Sequence, residues 1–329
     1  MNTEGNFKMG IRWLLPIGAL LLAPWMALAA PNVVASIQPV HSLAAGVMQG
    51  VGEPRLLITG GASPHDYSLR PSDARAIAEA DVMFWIGPDL ESFLVKPLNN
   101  AKHKVQIVSL LEAPGVIVLP LRTGGAWESH RHDPVEPVGK DTQHDHSHET
   151  DHHGHEADHD THLWLDPVNA IAMTRRMVAV LGEVDPDHKT DYERNGAALI
   201  ERLNQLNQQL ALKLAPVKDQ PYVVFHDAYQ YLEQRYGLNA VGSVVLDPEQ
   251  RPGAKRVVEI QARIRDRGVR CVFSEPQFQP ALVKTVIAGS NARSGTLDPL
   301  GAEIPPGPHA YFQLLEGLAD ALRACLSGR

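Results

Sequence analysis

Residues 187–214 have the sequence DHKTDYERNGAALIERLNQLNQQLALKL, and they decide how the rest of the chain is arranged. Four leucines recur here with a four-three-four spacing, which predicts one amphipathic helix with a single apolar stripe. These are Leu199, Leu203, Leu206 and Leu210. A helix of this length spans about 40 Å. Because strand and helix patterns alternate on both sides of it, we expect a rigid strut that joins two lobes.

Short apolar runs alternate with helical patterns on both flanks, which predicts an α/β fold with two parallel sheets. Asp166 and Pro167 form a strong helix start, a carboxylate cap followed by proline at the first helical position. Ser72 is the expected cap of an earlier helix, and Leu163–Leu165 is expected to be extended. Strands are expected at residues 33–37, 55–59, 82–86, 106–109, 222–225, 270–273 and up to 297, and helices from 40 and at 166–181, 187–214, 256–267 and 280–289.

The N-terminus has the pattern of a secretory signal peptide. Two basic residues precede an apolar run over residues 13–26, and small residues around Ala29 suit a signal peptidase. The run is too short and too rich in proline for a membrane anchor. Met1 and Met9 are both candidate start residues. We therefore expect cleavage near Ala29 and a soluble protein in the periplasm.

The predicted organisation has four parts. A signal peptide covers residues 1–29, an N-terminal α/β lobe residues 30–186, the linking helix residues 187–214, and a C-terminal α/β lobe residues 215–329. The formal net charge is −8, and phosphate binding requires clustered Lys and Arg, so nucleic acid is excluded as a partner.

Histidine is concentrated in one polar tract. Nine of the 16 histidines lie there, among Asp, Glu and small residues that cannot bury a core, so residues 128–160 are expected to form a disordered loop. Two formal HExxH matches at 148–152 and 155–159 lack the apolar helix face of a zinc protease. The tract is either a weak accessory metal-binding loop or a solvated insertion. Its histidines are His130, His132, His144, His146, His148, His152, His153, His155 and His159.

Three other histidines stand alone where packed segments end. His65 follows the second predicted strand, His162 precedes a capped helix, and His226 directly follows a strand. Ligands of parallel sheets bind beyond the carboxyl ends of the strands. Three imidazoles suit zinc, with copper or nickel as alternatives, whereas manganese prefers more oxygen donors. The sequence therefore predicts a zinc site.

Several carboxylates stand near these positions. Asp66 and Asp227 each follow a proposed ligand, and they either fix an imidazole tautomer from the second coordination shell or cap turns. Glu275 and Asp298 also lie just beyond strand ends.

The chain has two cysteines, Cys271 and Cys325. An even pair in an oxidising compartment favours a disulfide over two buried thiols.

The motifs GASPHDYSLRPSD, HLWLDP, VFHDAYQYLE, CVFSEPQF and GTLDPLG, together with the histidine-rich acidic insertion, resemble one known family. It is the ZnuA-type family, the zinc-binding periplasmic components of bacterial ABC zinc importers. The resemblance runs through essentially the whole mature chain. It implies two α/β lobes joined by one long helix, metal in the cleft, a monomer, and delivery of zinc to an inner-membrane ABC permease without catalysis.

The same resemblance assigns roles to residues. His65, His162 and His226 match the three histidine ligands of the family, and Cys271 and Cys325 match its disulfide. Related manganese-binding members have a glutamate in place of the third histidine, which favours zinc here.

One position departs from the family pattern. Many zinc-binding members have glutamate directly before the first ligand, where this chain has Pro64, which offers no donor. Water, Asp298, Glu275 or a histidine of the tract are candidates for the fourth ligand. Two alternative functions also follow from the residues: a zinc hydrolase with three histidine ligands, whose open position activates water, and a passive periplasmic metal buffer.

Overall fold

A computed structural model of the chain describes residues 1, 29–122, 127, 159–245, 252–278 and 281–328. The expected signal peptide and most of the histidine tract lie outside these residues, so both stay predictions. His159 and Asp160 are the described exceptions at the end of the tract. Within the part of the chain that is described, no helix is long and apolar enough to cross a membrane.

The N-terminal lobe has a four-stranded parallel sheet in the order β2-β1-β3-β4. Its central strands are fully buried and apolar, as expected of a parallel sheet covered by helices on both faces. This lobe confirms the predicted α/β class. Its elements are β1 (Val33–Ala35), α1 (Gln38–Val47), β2 (Arg55–Leu56), α2 (Pro71–Glu79), β3 (Val82–Trp85), α3 (Val95–Ala101), β4 (Gln106–Ser109) and α4 (Pro167–Val184).

The C-terminal lobe repeats the arrangement, with the parallel order β6-β5-β7-β8. Its second strand and two of its helices were not expected from the sequence. The strand has few apolar residues, whereas the last helix has a regular apolar face that the sequence does contain. The elements are β5 (Tyr222–Val224), α6 (Gln230–Tyr236), β6 (Ala240–Ser243), α7 (Ala254–Asp266), β7 (Cys271–Ser274), α8 (Ala281–Ile287), β8 (Arg293–Thr296) and α9 (Ala310–Leu326).

A long helix, α5 (Lys189–Leu214), joins the lobes as predicted, and it begins two residues later than expected. Its four stripe leucines are at most 3% exposed. Helices α1, α4 and α9 pack against it, and one apolar cluster runs continuously from the first lobe to the second. The lobes therefore share a core instead of meeting at a thin hinge. The exact division of the chain into domains stays a prediction.

Local signals at helix starts were partly correct. Asp166 caps α4, since its Oδ1 accepts a 2.9 Å hydrogen bond from the backbone of Val168. Ser72 is not a cap, because α2 already begins at Pro71 and the Asp73 carboxylate accepts from the backbone N–H before the helix. Leu163–Leu165 is a 3₁₀ helix and not an extended segment.

The predicted disulfide between Cys271 and Cys325 is confirmed. It joins β7 to α9, with 6.1 Å between the two Cα atoms and a sequence separation of 54 residues. On the chain-entropy estimate, closing a loop of this size stabilises the fold by about 4 kcal/mol. The bridge thus holds the last helix, which also packs on α5, to the sheet of the C-terminal lobe.

Candidate metal centre

The three isolated histidines meet in the cleft between the lobes. His65 lies in the loop after β2, where Gly60 and Gly61 adopt left-handed φ angles of 72° and 71°. This conformation favours glycine and lets the chain turn sharply towards the cleft. His162 stands at the start of the 3₁₀ turn before α4, and His226 directly follows β5. One ligand atom from each imidazole lies within 4.8 Å of the others.

The closest two imidazoles have the spacing of zinc ligands. Nε2 of His162 and Nε2 of His226 are 3.3 Å apart. Two nitrogens bound to one tetrahedral zinc, each at about 2.0–2.1 Å, would lie about 3.3 Å from each other. The His65 ring is farther away, with its centroid 5.4 Å from that of His162 and 5.9 Å from that of His226.

Each of the two buried imidazoles is oriented by a carboxylate. Nδ1 of His162 lies 2.7 Å from Oδ1 of Asp160, and Nδ1 of His226 lies 2.7 Å from Oε1 of Glu275. The same two oxygens also accept the backbone N–H groups of His162 at 2.9 Å and His226 at 3.4 Å. They therefore act as acceptors, and both Nδ1 atoms carry the proton. In the neutral rings, both Nε2 atoms then present lone pairs to each other across 3.3 Å. A metal cation or a single proton between them would stabilise this arrangement.

The two rings differ in how readily they are protonated. Burial, together with the nearby charge of His226, lowers the pKa of His162 to about 3, so this imidazole is neutral at pH 7. Burial also acts to lower the pKa of His226, but the charge and hydrogen bond of Glu275 outweigh it, and the pKa is raised. A proton on His226 is therefore the competitor that a metal ion must displace.

The carboxylates that hold these imidazoles are not those expected from the sequence. Asp66 is exposed, and the Asp227 carboxylate accepts hydrogen bonds from Arg122. Asp160 was missed because it belongs to the acidic end of the histidine tract. Its position two residues before His162 was the available signal, since its side chain also accepts the backbone N–H of that residue at 2.9 Å.

The two candidates for a carboxylate fourth ligand have other partners. Glu275 orients His226 through Oε1. Both oxygens of Asp298 accept backbone N–H groups of the following turn, at 2.6–3.0 Å. Neither belongs to the group of mutually close ligand atoms found among the described residues. The sequence could not reveal this, because the turn competes for Asp298 only once it is folded.

A small cavity joins the histidines and is mainly apolar. Its volume is about 10 Å³, which is room for a single water or ion. Besides the histidines, its polar lining residues are Ser63, Glu275 and Gln277. Nε2 of Gln277 donates to Oδ1 of Asp298 at 3.1 Å, while its Oε1 is buried and has no hydrogen-bond partner among the described residues. The apolar lining consists of Pro64, Trp164, Phe278, Pro299 and Leu300.

A larger cavity of about 680 Å³ lies elsewhere in the C-terminal lobe. It adjoins the residues that precede β7 and begin β8, at the opposite end of these strands from the histidines. Its lining contains Arg265, Arg270 and Arg293 but no histidine or carboxylate. This cavity is the larger of the two, but arginine side chains cannot bind a metal cation, so we exclude it as the metal site.

The chain is similar to the members of a known protein family. The family model described as "Zinc-uptake complex component A periplasmic" matches residues 33–325. The chain belongs to this family. The "High-affinity zinc uptake system protein ZnuA" of Brucella suis biovar 1 (strain 1330) is 47% identical over 306 residues, covering 90% of the chain and 92% of that protein. The protein of the same name from Yersinia pestis is 37% identical over 315 residues, covering 94% and 95%.

The fold agrees with solved structures. A crystal structure of ZnuA has a TM-score of 0.72 to the chain, with 22% sequence identity, and the match covers 90% of the chain and 99% of that protein. At this level of identity the likeness supports the arrangement of two lobes and one long helix, and the assignment of the site depends on the histidines themselves.

Proposed function

We propose that the chain binds Zn²⁺ in the periplasm and delivers it to an inner-membrane ABC permease. The observation that carries the proposal is the pair of Nε2 lone pairs held 3.3 Å apart in a buried site, with a third imidazole beside them. Membership of the zinc-uptake family and relatives named as high-affinity zinc uptake proteins support the same function.

We assign the three ligands to His65, His162 and His226. Nitrogen donors suit zinc, copper or nickel, and the described residues add no oxygen donor to this group, which disfavours manganese. The carboxylate behind His162 and the one behind His226 fix the tautomer and raise the basicity of each ring. Zinc is in this view the transported ligand and not a resident catalytic cofactor.

We expect the fourth position to be occupied by water. Pro64 supplies no donor, and Asp298 is engaged by the backbone of its own turn. The unpartnered Oε1 of Gln277, in the lining of the same cavity, would accept a hydrogen bond from that water. A neutral fourth group leaves the ion exchangeable, which a delivery protein requires.

The size of the cavity favours transport over hydrolysis. A hydrolase with three histidine ligands needs space for a substrate beside the zinc-bound water. The roughly 10 Å³ enclosed here admits an ion but no ester or peptide. We therefore propose that the chain is not an enzyme.

The remaining features of the proposal concern localisation and the tract. We propose export by a signal peptide cleaved near Ala29, and a monomer in the periplasm. The tract is proposed to bind additional zinc weakly, because each backbone residue that must be ordered costs about 1–2 kcal/mol before several imidazoles converge on one ion. Folding of the lobes has already fixed the three histidines of the cleft.

A growth experiment combined with a binding experiment tests the function. A strain that lacks its own zinc-uptake binding protein is complemented with the full chain or with a variant in which His65, His162 and His226 are all alanine. We expect only the unaltered chain to restore growth and zinc accumulation under chelation. His103→Ala, which removes an exposed histidine, is the matched control. Zinc binding by the purified triple variant that is as tight as that of the unaltered chain would contradict the proposal.

A further inference from the structure

Two segments that border the histidine tract come together beside the metal centre. Residues 119–122 form one arm and residues 159–162 the other, and together they are called the stem here. An antiparallel bridge between Pro120 and His159 joins the arms, and a 2.8 Å backbone hydrogen bond lies next to it. The second arm ends at His162. The stem is therefore continuous with one of the three imidazoles.

Helix α6 of the C-terminal lobe holds the stem through a tyrosine. The Tyr231 hydroxyl donates to the backbone carbonyl of Asp160 at 2.7 Å and accepts the backbone N–H of Leu119 at 3.0 Å. One side chain thus contacts both arms of the stem across the cleft.

An arginine of the stem makes a second and stronger connection. The Arg122 guanidinium donates from Nε and Nη2 to the two oxygens of Asp227, and from Nη1 to Oε2 of Glu233 at 2.6 Å. The Trp127 ring covers one face, 3.6 Å from Cζ. The Arg122 side chain is 20% exposed and that of Glu233 is 4% exposed. Two bonds to one carboxylate and a stacked ring leave the guanidinium little freedom.

These contacts connect both buried imidazoles to the stem. Asp227 directly follows His226, and Arg122 fixes it from the opposite lobe. Asp160 belongs to the stem and fixes His162 through Nδ1. The stem therefore contains the carboxylate that orients His162 and holds the residue next to His226, one on each side of the cleft.

We propose that Arg122 is a positioning residue of the metal centre, which sets the separation of His162 and His226 by clamping the stem to Asp227. The inference rests on the proposed zinc-binding function. It assigns a role in zinc binding to a residue that is not itself a metal ligand.

The chain offers a closely matched control. Arg235, on helix α6, forms another bidentate ion pair between the lobes. It donates to Asp166 at 2.8 Å from Nε and at 2.6 Å from Nη2. Its side chain is 28% exposed and that of Asp166 is 5% exposed. This pair resembles the Arg122 pair in chemistry and burial, but neither partner is adjacent to a proposed ligand.

The experiment compares Arg122→Ala, Arg122→Lys and Arg235→Ala in the full mature chain. Zinc affinity is measured by competition with a chelator, and the visible absorption of bound cobalt(II) reports the coordination geometry. We expect Arg122→Ala to weaken zinc binding about 10- to 100-fold and to change the cobalt spectrum, as loss of an outer-shell partner does. Arg235→Ala should lower the melting temperature but keep affinity within about threefold of the unaltered chain.

The lysine variant covers the case in which the alanine variant does not fold. It retains the positive charge beside Glu233 but lacks the planar fork, and we expect an affinity between those of Arg122→Ala and the unaltered chain. The proposal is wrong if the folded Arg122 variants keep a zinc affinity within about threefold of that of the unaltered chain and show the same cobalt spectrum. It is also wrong if Arg235→Ala loses as much affinity as Arg122→Ala. Weak zinc binding by the unaltered chain would instead contradict the proposed function.

Discussion

His162 and His226 differ from His65 in how the fold prepares them for a metal. The first two are 7% and 5% exposed, and each is bonded through Nδ1 to a buried carboxylate. His65 is only half-buried and lies in a loop that depends on two glycines with left-handed backbone. Two imidazoles are thus set by the packed ends of elements, and the third by a loop.

This difference indicates that the three imidazoles contribute unequally to the binding free energy of zinc. A pair of preoriented imidazoles loses little further freedom on binding, so it should supply most of the affinity. The ring on the loop can approach or leave with less disturbance of the core. We expect it to complete the coordination and to contribute less to the binding free energy.

The largest effect should follow removal of either ring of the preoriented pair. We predict that His162→Ala and His226→Ala each weaken zinc binding by more than about 100-fold, or roughly 2.7 kcal/mol. Each substitution removes a proposed ligand and also leaves a buried carboxylate without its imidazole partner. Chelator competition measures the affinity, and His103→Ala controls for loss of any histidine. Retention of wild-type affinity in either variant would rule out that ligand.

A smaller loss is expected at the loop. We predict that His65→Ala weakens binding about tenfold, close to 1.4 kcal/mol, because water takes the vacated position and the pair remains intact. The same competition assay measures it alongside the two larger effects. If His65→Ala loses as much zinc affinity as His226→Ala, the histidine of the loop contributes as much binding free energy as a histidine of the pair, and the proposed difference between them is incorrect.

The carboxylate behind an imidazole should matter without touching the metal. We predict that Glu275→Gln weakens zinc binding about tenfold, because the amide fixes the ring less strongly and lowers its basicity. Asp66→Asn, at an exposed carboxylate beside the loop ligand, is the control. Unchanged affinity in Glu275→Gln would show that burial alone orients His226.

The smallest effect concerns pH. Zinc must displace a proton from His226, whose pKa is raised because Glu275 outweighs the burial that lowers it. Apparent affinity should therefore fall as pH decreases through that pKa, by at most about tenfold per pH unit for one competing proton. His162 adds no such dependence near neutrality, since burial lowers its pKa to about 3. Titrations of zinc affinity between pH 5 and 8 test this, and a slope near two protons would show that a second group also releases a proton on binding.

Much of the fold was accessible from local patterns. The long helix was predicted over 187–214 from its leucine stripe and is observed over 189–214, and the cap at Asp166 was predicted from an acid followed by proline. Strand β6 and helix α9 were missed: Ala240–Ser243 has little apolar character, and α9 was not distinguished from the C-terminal tail. Strand β6 acquires its structure from the strand with which it pairs, which local propensity does not contain, whereas α9 has apolar residues at helical spacing and was predictable from its sequence.

Three features could be inferred from the order of the amino acids: the two-lobed α/β arrangement, the three isolated histidines, and the pairing of the only two cysteines. They follow from periodicity, from the rule that ligands gather beyond strand ends, and from counting. The choice of the carboxylates that hold the imidazoles depends instead on the packed lobes. Asp160 and Glu275 reach His162 and His226, whereas Asp227, adjacent in sequence, is held by Arg122 from the other lobe. Hydrogen bonds depend on distances of about 3 Å in space, and a chain position fixes those distances only after the lobes have packed.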